Sequence, residues 1–156
     1  MAGIFEIISA YHKKNKARSQ SFEQFKACMA GAALTAMADG EFVRREDAAL
    51  EKLAHVVGEL KLFGSQHTRE VFMGFLKDIQ DDPVKGREKA MQAVAIAKDD
   101  PAWAATAVML AATISEADGV VDDAELDVVN RLTEFLGIEP GTIEALEIDF
   151  RDEIFR

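Results

Sequence analysis

A short motif occurs twice in this chain and narrows what it can fold into: Ala38-Asp39-Gly40 followed by Glu46, and Ala117-Asp118-Gly119 followed by Glu125. Both copies place a hydrophobic residue two after the glycine (Phe42, Val121), a glutamate seven after the aspartate, and a leucine (Leu53, Leu132) seven beyond that. In each copy an apolar segment of helical period runs into the Asp-Gly and another leaves it. Glycine is the residue that most readily ends a helix. The pattern describes two related helix-turn-helix units, each with acidic residues on its turn.

Composition sets the limits around that duplication. With 156 residues, 49% of them hydrophobic, the chain supports one well-buried core and is short for two independent domains. Only three prolines and no strand-like alternation of β-branched residues make the expected class all-α. Cys28 is the single cysteine and has no partner for an internal disulfide, in keeping with a reducing cytoplasm. The basic residues near the N-terminus follow its short apolar stretch, the reverse of a secretory signal, and no apolar run reaches the roughly 18 residues needed to span a membrane. A net charge of -10 argues against nucleic acid, whose phosphates require a basic footprint. It favours cations, a basic partner or plain solubility.

The periodicity predicts a single bundle of about seven helices containing the duplication. One domain is expected over 1–156: a basic amphipathic helix within 1–18, a first repeat unit over 20–60, connecting helices over 65–98, a second repeat unit over 101–138, and an acidic segment over 139–156. The first helix covers 4–17. The second starts at Ser21 and aligns Phe22, Phe25, Met29, Ala32, Ala33 and Ala36, and the third, from about Arg44, aligns Leu50, Leu53, Ala54, Val57 and Leu60. Ser65 or Thr68 caps a fourth, with Phe72, Phe75, Leu76 and Ile79 inward. Asp82-Pro83 and Asp100-Pro101 are start signals for the fifth and sixth, since proline suits a first helical turn. Trp103, Ala107, Leu110, Ala111 and Ile114 share a face of the sixth. Asp122 with Glu125 is an acidic form of the capping box for the seventh, whose stripe is Leu126, Val129, Leu132 and Leu136 before the stop at Gly137. One more short helix is expected near 140–146.

The doubled turn matches half of a calcium loop. In an EF-hand the ligands stand at positions 1, 3, 5, 7, 9 and 12, with glycine at 6 and a bidentate glutamate at 12. With Asp39 or Asp118 at position 5, the second half fits: glycine at 6, a hydrophobic residue at 8, glutamate at 12. The first half does not. Positions 1 and 3 fall on Thr35 and Met37, or on Ile114 and Glu116, where the apolar period says that the helix continues. The first copy also sets Arg44 and Arg45 among its acids, whereas the second gathers Glu116, Asp118, Asp122, Asp123, Glu125 and Asp127 with no base before Arg131. Crowded carboxylates relieve their repulsion by binding a cation or a proton, so the second turn is the better metal candidate. The bland reading is that these acids serve as helix-start residues, each stabilised by the dipole by about 0.3 to 1 kcal/mol.

Those features together resemble the TerB family of tellurite-resistance proteins and the related N-terminal region of DjlA-type co-chaperones. The resemblance rests on Lys26 to Met37 leading into Asp39-Gly40 and Glu46, and on Ala107 to Ala117 leading into Asp118-Gly119, Asp122, Asp123 and Glu125, ending at Leu136-Gly137-Ile138; it covers most of 22–138. It implies an all-helical bundle, a cytoplasmic protein among stress and tellurite-resistance functions, and acidic clusters regarded as metal or partner sites. The family has no established enzymatic reaction. The first turn departs from a strongly acidic pattern through Arg44 and Arg45.

The candidate metal ligands are therefore Asp118, Asp122, Asp123 and Glu125, with Asp39 and Glu46 as weaker contributors, and the expected ion is calcium, with magnesium and manganese as alternatives. No catalysis is expected. Phosphate loops, nucleophile elbows and zinc spacings are missing from the sequence, His12, His55 and His67 are far apart, and solvent-facing turn carboxylates have no cause for shifted pKa values. Direct chemistry on tellurite is not expected, because an acidic chain repels an oxyanion and Cys28 has no redox partner. Cys28 and Trp103 are read as core residues, and the methionines mainly as packing. The alternative function is a scaffold whose acidic faces dock a protein with a basic surface. Residues 4–18, apolar and then basic, offer a peripheral contact with the inner membrane or with acidic turns of another copy.

Overall fold

The computed structural model describes residues 22–38, 46–59, 65–115 and 123–138. Within them the chain forms α1 (Phe22–Ala36), α2 (Glu46–Glu59), α3 (Ser65–Asp81), α4 (Pro83–Val94), a 3-10 segment (Ala95–Asp99), α5 (Pro101–Ser115) and α6 (Asp123–Phe135), with no strand among the described residues. The all-α class holds, and these six helices are the second to seventh of the expected series. The helices expected over 4–17 and 140–146 lie outside the described residues.

Local chemistry explains where the helices start and stop. Asp82 is the N-cap of α4 and its side chain accepts a hydrogen bond from the Lys85 backbone N–H at 3.1 Å, with Pro83 next in line. Asp100 does the same for α5, accepting from the Trp103 N–H at 3.3 Å. At the other end of α6, Gly137 takes a φ of +73°, which a side chain resists. The Gly137 N–H donates to the Glu134 carbonyl and the Ile138 N–H to that of Thr133, a Schellman closure with Ile138 packed against the core.

Asp82 is also the only residue between α3 and α4, so the two helices fold back tightly. At Gly86 an added Cβ would stand 2.4 Å from the Asp78 carbonyl oxygen and 2.5 Å from the Ile79 Cα. Glycine is required there by the close approach of the two backbones. Lys89 fastens the same pair from outside, 2.9 Å from Asp78 Oδ2.

The core is built on α1 and α5, which pack most extensively on one another. In α1 every residue from Ala27 to Thr35 is buried, and in α5 so is every residue from Thr106 to Ser115. A helix immersed on all sides must be apolar or small all round, and both are rich in alanine. The expectation of one inward stripe was therefore too narrow. It also failed at two positions: Phe22, where α1 enters the bundle, is 42% exposed, and Ala36 is half-buried although Thr35 and Met37 on either side of it are buried. Buried hydroxyls within this core return to their own helix, with Thr35 Oγ1 donating to the Gly31 carbonyl and Thr113 Oγ1 to that of Met109.

The outer helices follow the amphipathic rule more closely. Phe72, Phe75, Leu76 and Ile79 of α3 are buried as predicted, as are Leu53 and Val57 of α2 and Val129, Leu132 and Leu136 at the end of the chain's described part. Val56 joins them. Leu50, Ala54 and Leu126 are half-buried. Cys28 and Trp103 are core residues, while among the methionines Met29, Met37 and Met109 are buried and Met73 is 42% exposed. Helix α2 packs on α5 and α3, whereas α6 packs on both α5 and α1.

Candidate functional site

The carboxyl end of α1 shows why the first half of a calcium loop is missing. Helical bonding runs on through Met37, whose N–H donates to the Ala33 carbonyl at 3.0 Å, and then tightens at Ala38, which donates to Thr35 at 3.2 Å. Thr35 is fully buried with its hydroxyl committed to Gly31, and Met37 is 4% exposed. Neither side chain is placed to meet an ion. In the second copy Ile114 is likewise buried within α5.

The helix end is held from outside. Arg87 of α4 reaches back 50 residues and donates a guanidinium N–H to the Met37 carbonyl at 3.1 Å. The last carbonyls of a helix have no intrahelical donor and form its negative pole, so a guanidinium is well placed there. In α5 the residue matching Met37 lies outside the described residues, and what is seen is one turn earlier. Ser115 Oγ donates to the Ala112 carbonyl at 2.8 Å, within the same helix.

Of the candidate metal ligands, Asp39, Asp118 and Asp122 lie outside the described residues, as do Arg44 and Arg45. Glu46 opens α2. Asp123 and Glu125 both stand in the first turn of α6, where the macrodipole favours negative charge. They do not act alike. Residues two apart on a helix point to different sides, and Asp123 is exposed while Glu125 is 7% exposed. The expectation that the turn carboxylates face solvent holds for Asp123 and fails for Glu125, because the third position of α6 turns toward the bundle. Asp127 faces out one turn later and pairs with Arg131 at 3.0 Å, an exposed i,i+4 bridge.

A groove of about 540 Å³ joins these features. Leu34 and Ala38 at the end of α1, Arg87 and Met91 of α4, and Ala124, Asp127, Val128, Arg131 and Leu132 of α6 line it. Ala38 immediately precedes Asp39, and Ala124 stands between Asp123 and Glu125. The flanks of both acidic turns thus meet at one groove, whose apolar floor is edged by two guanidinium groups and one carboxylate. Arg87 is the residue that sequence reasoning missed. Its partner lies far away in the chain, and no local spacing announces the contact.

Other candidates resolve simply. Among the described residues no three of His, Cys, Asp and Glu gather to hold a metal ion. His55 and His67 are exposed on α2 and α3. Cys28 is fully buried, and loss of solvation pushes its thiol well above the usual cysteine range, which leaves it inert as a nucleophile. No described helix is long and apolar enough to cross a membrane.

Comparison with known proteins adds the family. Neither the curated proteins nor the solved structures give a match. The family model described as Tellurite resistance protein TerB matches residues 25–148, a span that takes in both Asp-Gly motifs and most of both units, and the chain therefore belongs to the TerB family.

Proposed function

We propose that this TerB-family protein acts without catalysis, as a cytoplasmic stress-response module whose second acidic turn takes a divalent cation, calcium ahead of magnesium or manganese. The observation that carries the reading is the inward turn of Glu125. In a calcium loop the glutamate at position 12 is the bidentate ligand, drawn from the first turn of the exiting helix toward the loop. Glu125 is 7% exposed at the start of α6, while Asp123 beside it faces solvent. Glu125 is thus the anchoring ligand, with Asp118 and Asp122 completing the set. Asp123 contributes charge rather than coordination, and Asp39 and Glu46 give weaker help from the first turn. Binding fixes the angle between α5 and α6.

Calorimetric titration of calcium into metal-stripped full-length protein tests this, with Glu125→Gln and Asp123→Asn run alongside. The expected result is binding in the micromolar to low-millimolar range, abolished by the first variant and weakened by the second no more than about three-fold. No heat and no thermal shift at millimolar calcium, magnesium or manganese overturns the reading.

The second reading is a scaffold that docks a basic protein. The outward face of α6 favours it, with Asp123, Asp127 and Glu134 all exposed. Such docking weakens with salt and ignores calcium.

A further inference from the structure

We infer that a second groove, between α1, α3 and α4, is the docking site of this chain's own N-terminal segment, with the apolar face of a helix over 4–17 laid into it. The inference is independent of the cation reading above.

The groove has a volume of about 380 Å³, and its floor among the described residues is apolar: Val71 and Phe75 of α3, Ala93 of α4 and Ile96 of the 3-10 segment. Gly74 of α3 opens it further. Glycine weakens the middle of a helix relative to alanine, and whereas Gly86 is required by its neighbours, no described atom comes within 4 Å of where a Cβ on Gly74 would stand. Gly74 is exposed and leaves a notch in the α3 surface. A second helix can approach closely at such a notch, because interaxial distance follows the size of the side chains at the contact. Two large apolar side chains, Phe22 at 42% and Ile96 at 37% exposed, stand at the same end of the groove. Gln24 of α1 donates its side-chain amide to the Ile96 carbonyl at 3.3 Å, and the Lys26 ammonium, itself on the groove, lies 5.4 Å from the centre of the Phe22 ring. The chain before Phe22 therefore arrives on apolar surface beside the groove.

What arrives there matches it. Ile4, Ile7, Ile8 and Tyr11 are spaced i, i+3, i+4 and i+7, one face of a helix, and Lys13, Lys14, Lys16 and Arg18 follow. Only Ser19, Gln20 and Ser21 separate Arg18 from α1, and so short a connection turns a helix back antiparallel to its neighbour. The rim is acidic toward this basic end. Lys26 pairs with Glu23 and Lys89 with Asp78, each at 2.9 Å, while Glu70 accepts from the uncharged Gln66 amide at 3.2 Å, so three carboxylates stand against two ammonium groups. The tether holds the segment at an effective concentration of about millimolar, which favours its own groove over that of a second copy.

Amide hydrogen exchange on the full-length protein tests the inference in wild type, Gly74→Leu, Gly74→Lys and Ile8→Asp. Leucine and lysine are good helix formers and fill the notch without disturbing α3; Ile8→Asp acts from the segment's side and leaves the bundle untouched. In wild type the amides of 5–17 are expected to exchange at least about ten-fold more slowly than those of an unstructured chain. All three variants should lose that protection while α5 keeps its own. Fast exchange over 5–17 in wild type overturns the inference, and so does protection that survives both Gly74 variants, since the segment then rests elsewhere. Protection that fades on dilution, with the mass falling from dimer to monomer, gives the groove to the segment of a second copy and refutes the intramolecular assignment. Exchange that slows only when phosphatidylglycerol vesicles are added assigns the segment to a membrane surface instead of the groove.

Discussion

The two helix-turn-helix units share a core and differ at their ends. Leu53 and Leu132 occupy matching places after the two turns and are 0% and 3% exposed, and Val57 and Leu136 four residues later are buried as well. The contacts beyond the core diverge. The first unit receives Arg87 from α4 at the end of α1 and sends α2 onto α5 and α3, whereas the second lays α6 on α5 and α1, and the described last turn of α5 carries a Ser115 hydroxyl bonded to Ala112. The two units thus agree in what they bury and differ in what they pack against.

Shared packing predicts the largest effects. Truncating either leucine leaves a cavity, and Leu53→Ala and Leu132→Ala are each expected to cost about 2–5 kcal/mol in urea unfolding. The two should not cost the same. Leu132 lines the open groove, where neighbours and solvent relax into the space, while Leu53 is sealed, so Leu53→Ala falls toward the upper end. Equal losses, or a larger one for Leu132, break the view that the groove side of the second unit is the softer.

The next effect falls on the first unit's closure. Gly86→Ala drives a methyl into the Asp78–Ile79 backbone, and because the obstacle is main chain, α4 must shift. Overpacking of this kind costs about 1–3 kcal/mol. Since Arg87 moves with α4, amide exchange at Met37 and Ala38 is expected to quicken more than at Ala112 and Thr113. Uniform quickening at both helix ends denies that α4 holds the first unit in particular.

How far these features were legible in the sequence depends on the range over which each is encoded. The Asp82-Pro83 and Asp100-Pro101 starts and the Gly137 stop are set by neighbours within a turn, and the structure has them where the sequence places them. The half-fit of the acidic turns to a calcium loop was also local: the period through Thr35, Met37 and Ile114 told that the helices run on. Burial of α1 and α5 on every side was less readable, because an alanine serves equally on a stripe or in an interior. Arg87 was invisible, since its partner is a backbone carbonyl 50 residues away and carbonyls leave no trace in composition. The sorting of Asp123 from Glu125 is within reach of the helical period, although a run of acids in sequence looks like a single cluster.

Cys28 gives the comparison a titration. Its place in α1 corresponds to Ala107 in α5, and both are buried, so Cys28→Ala makes the first unit resemble the second. The folded thiol has its pKa raised by burial. It therefore contributes stability in full below the unfolded thiol's pKa of about 8.5, and loses it as pH rises beyond that, because the unfolded chain ionises first. Relative to Cys28→Ala, the wild type should lose about 1.4 kcal/mol per pH unit above pH 8.5 and nothing between pH 6 and 8. Parallel stability curves up to pH 10 show that the thiol ionises in place, which requires solvent to reach α1.

Ser115→Ala is expected to have the smallest effect and probes the last described turn of α5. Ser115 is 2% exposed and its hydroxyl donates to the Ala112 carbonyl within its own helix. Its removal loses one hydrogen bond, worth about 1 kcal/mol net, but alanine is the better helix former and leaves no polar oxygen to bury. The two effects nearly cancel, and the change should stay within about 0.5 kcal/mol with an unaltered calcium isotherm. A helix that finishes itself loses little when its finishing residue is replaced, whereas a helix finished by a neighbour loses a link between elements. A loss above about 1.5 kcal/mol for Ser115→Ala would mean that the buried hydroxyl holds the last turn of α5 far more firmly than one intrahelical bond should, and the contrast with the Arg87 link between elements would then fail.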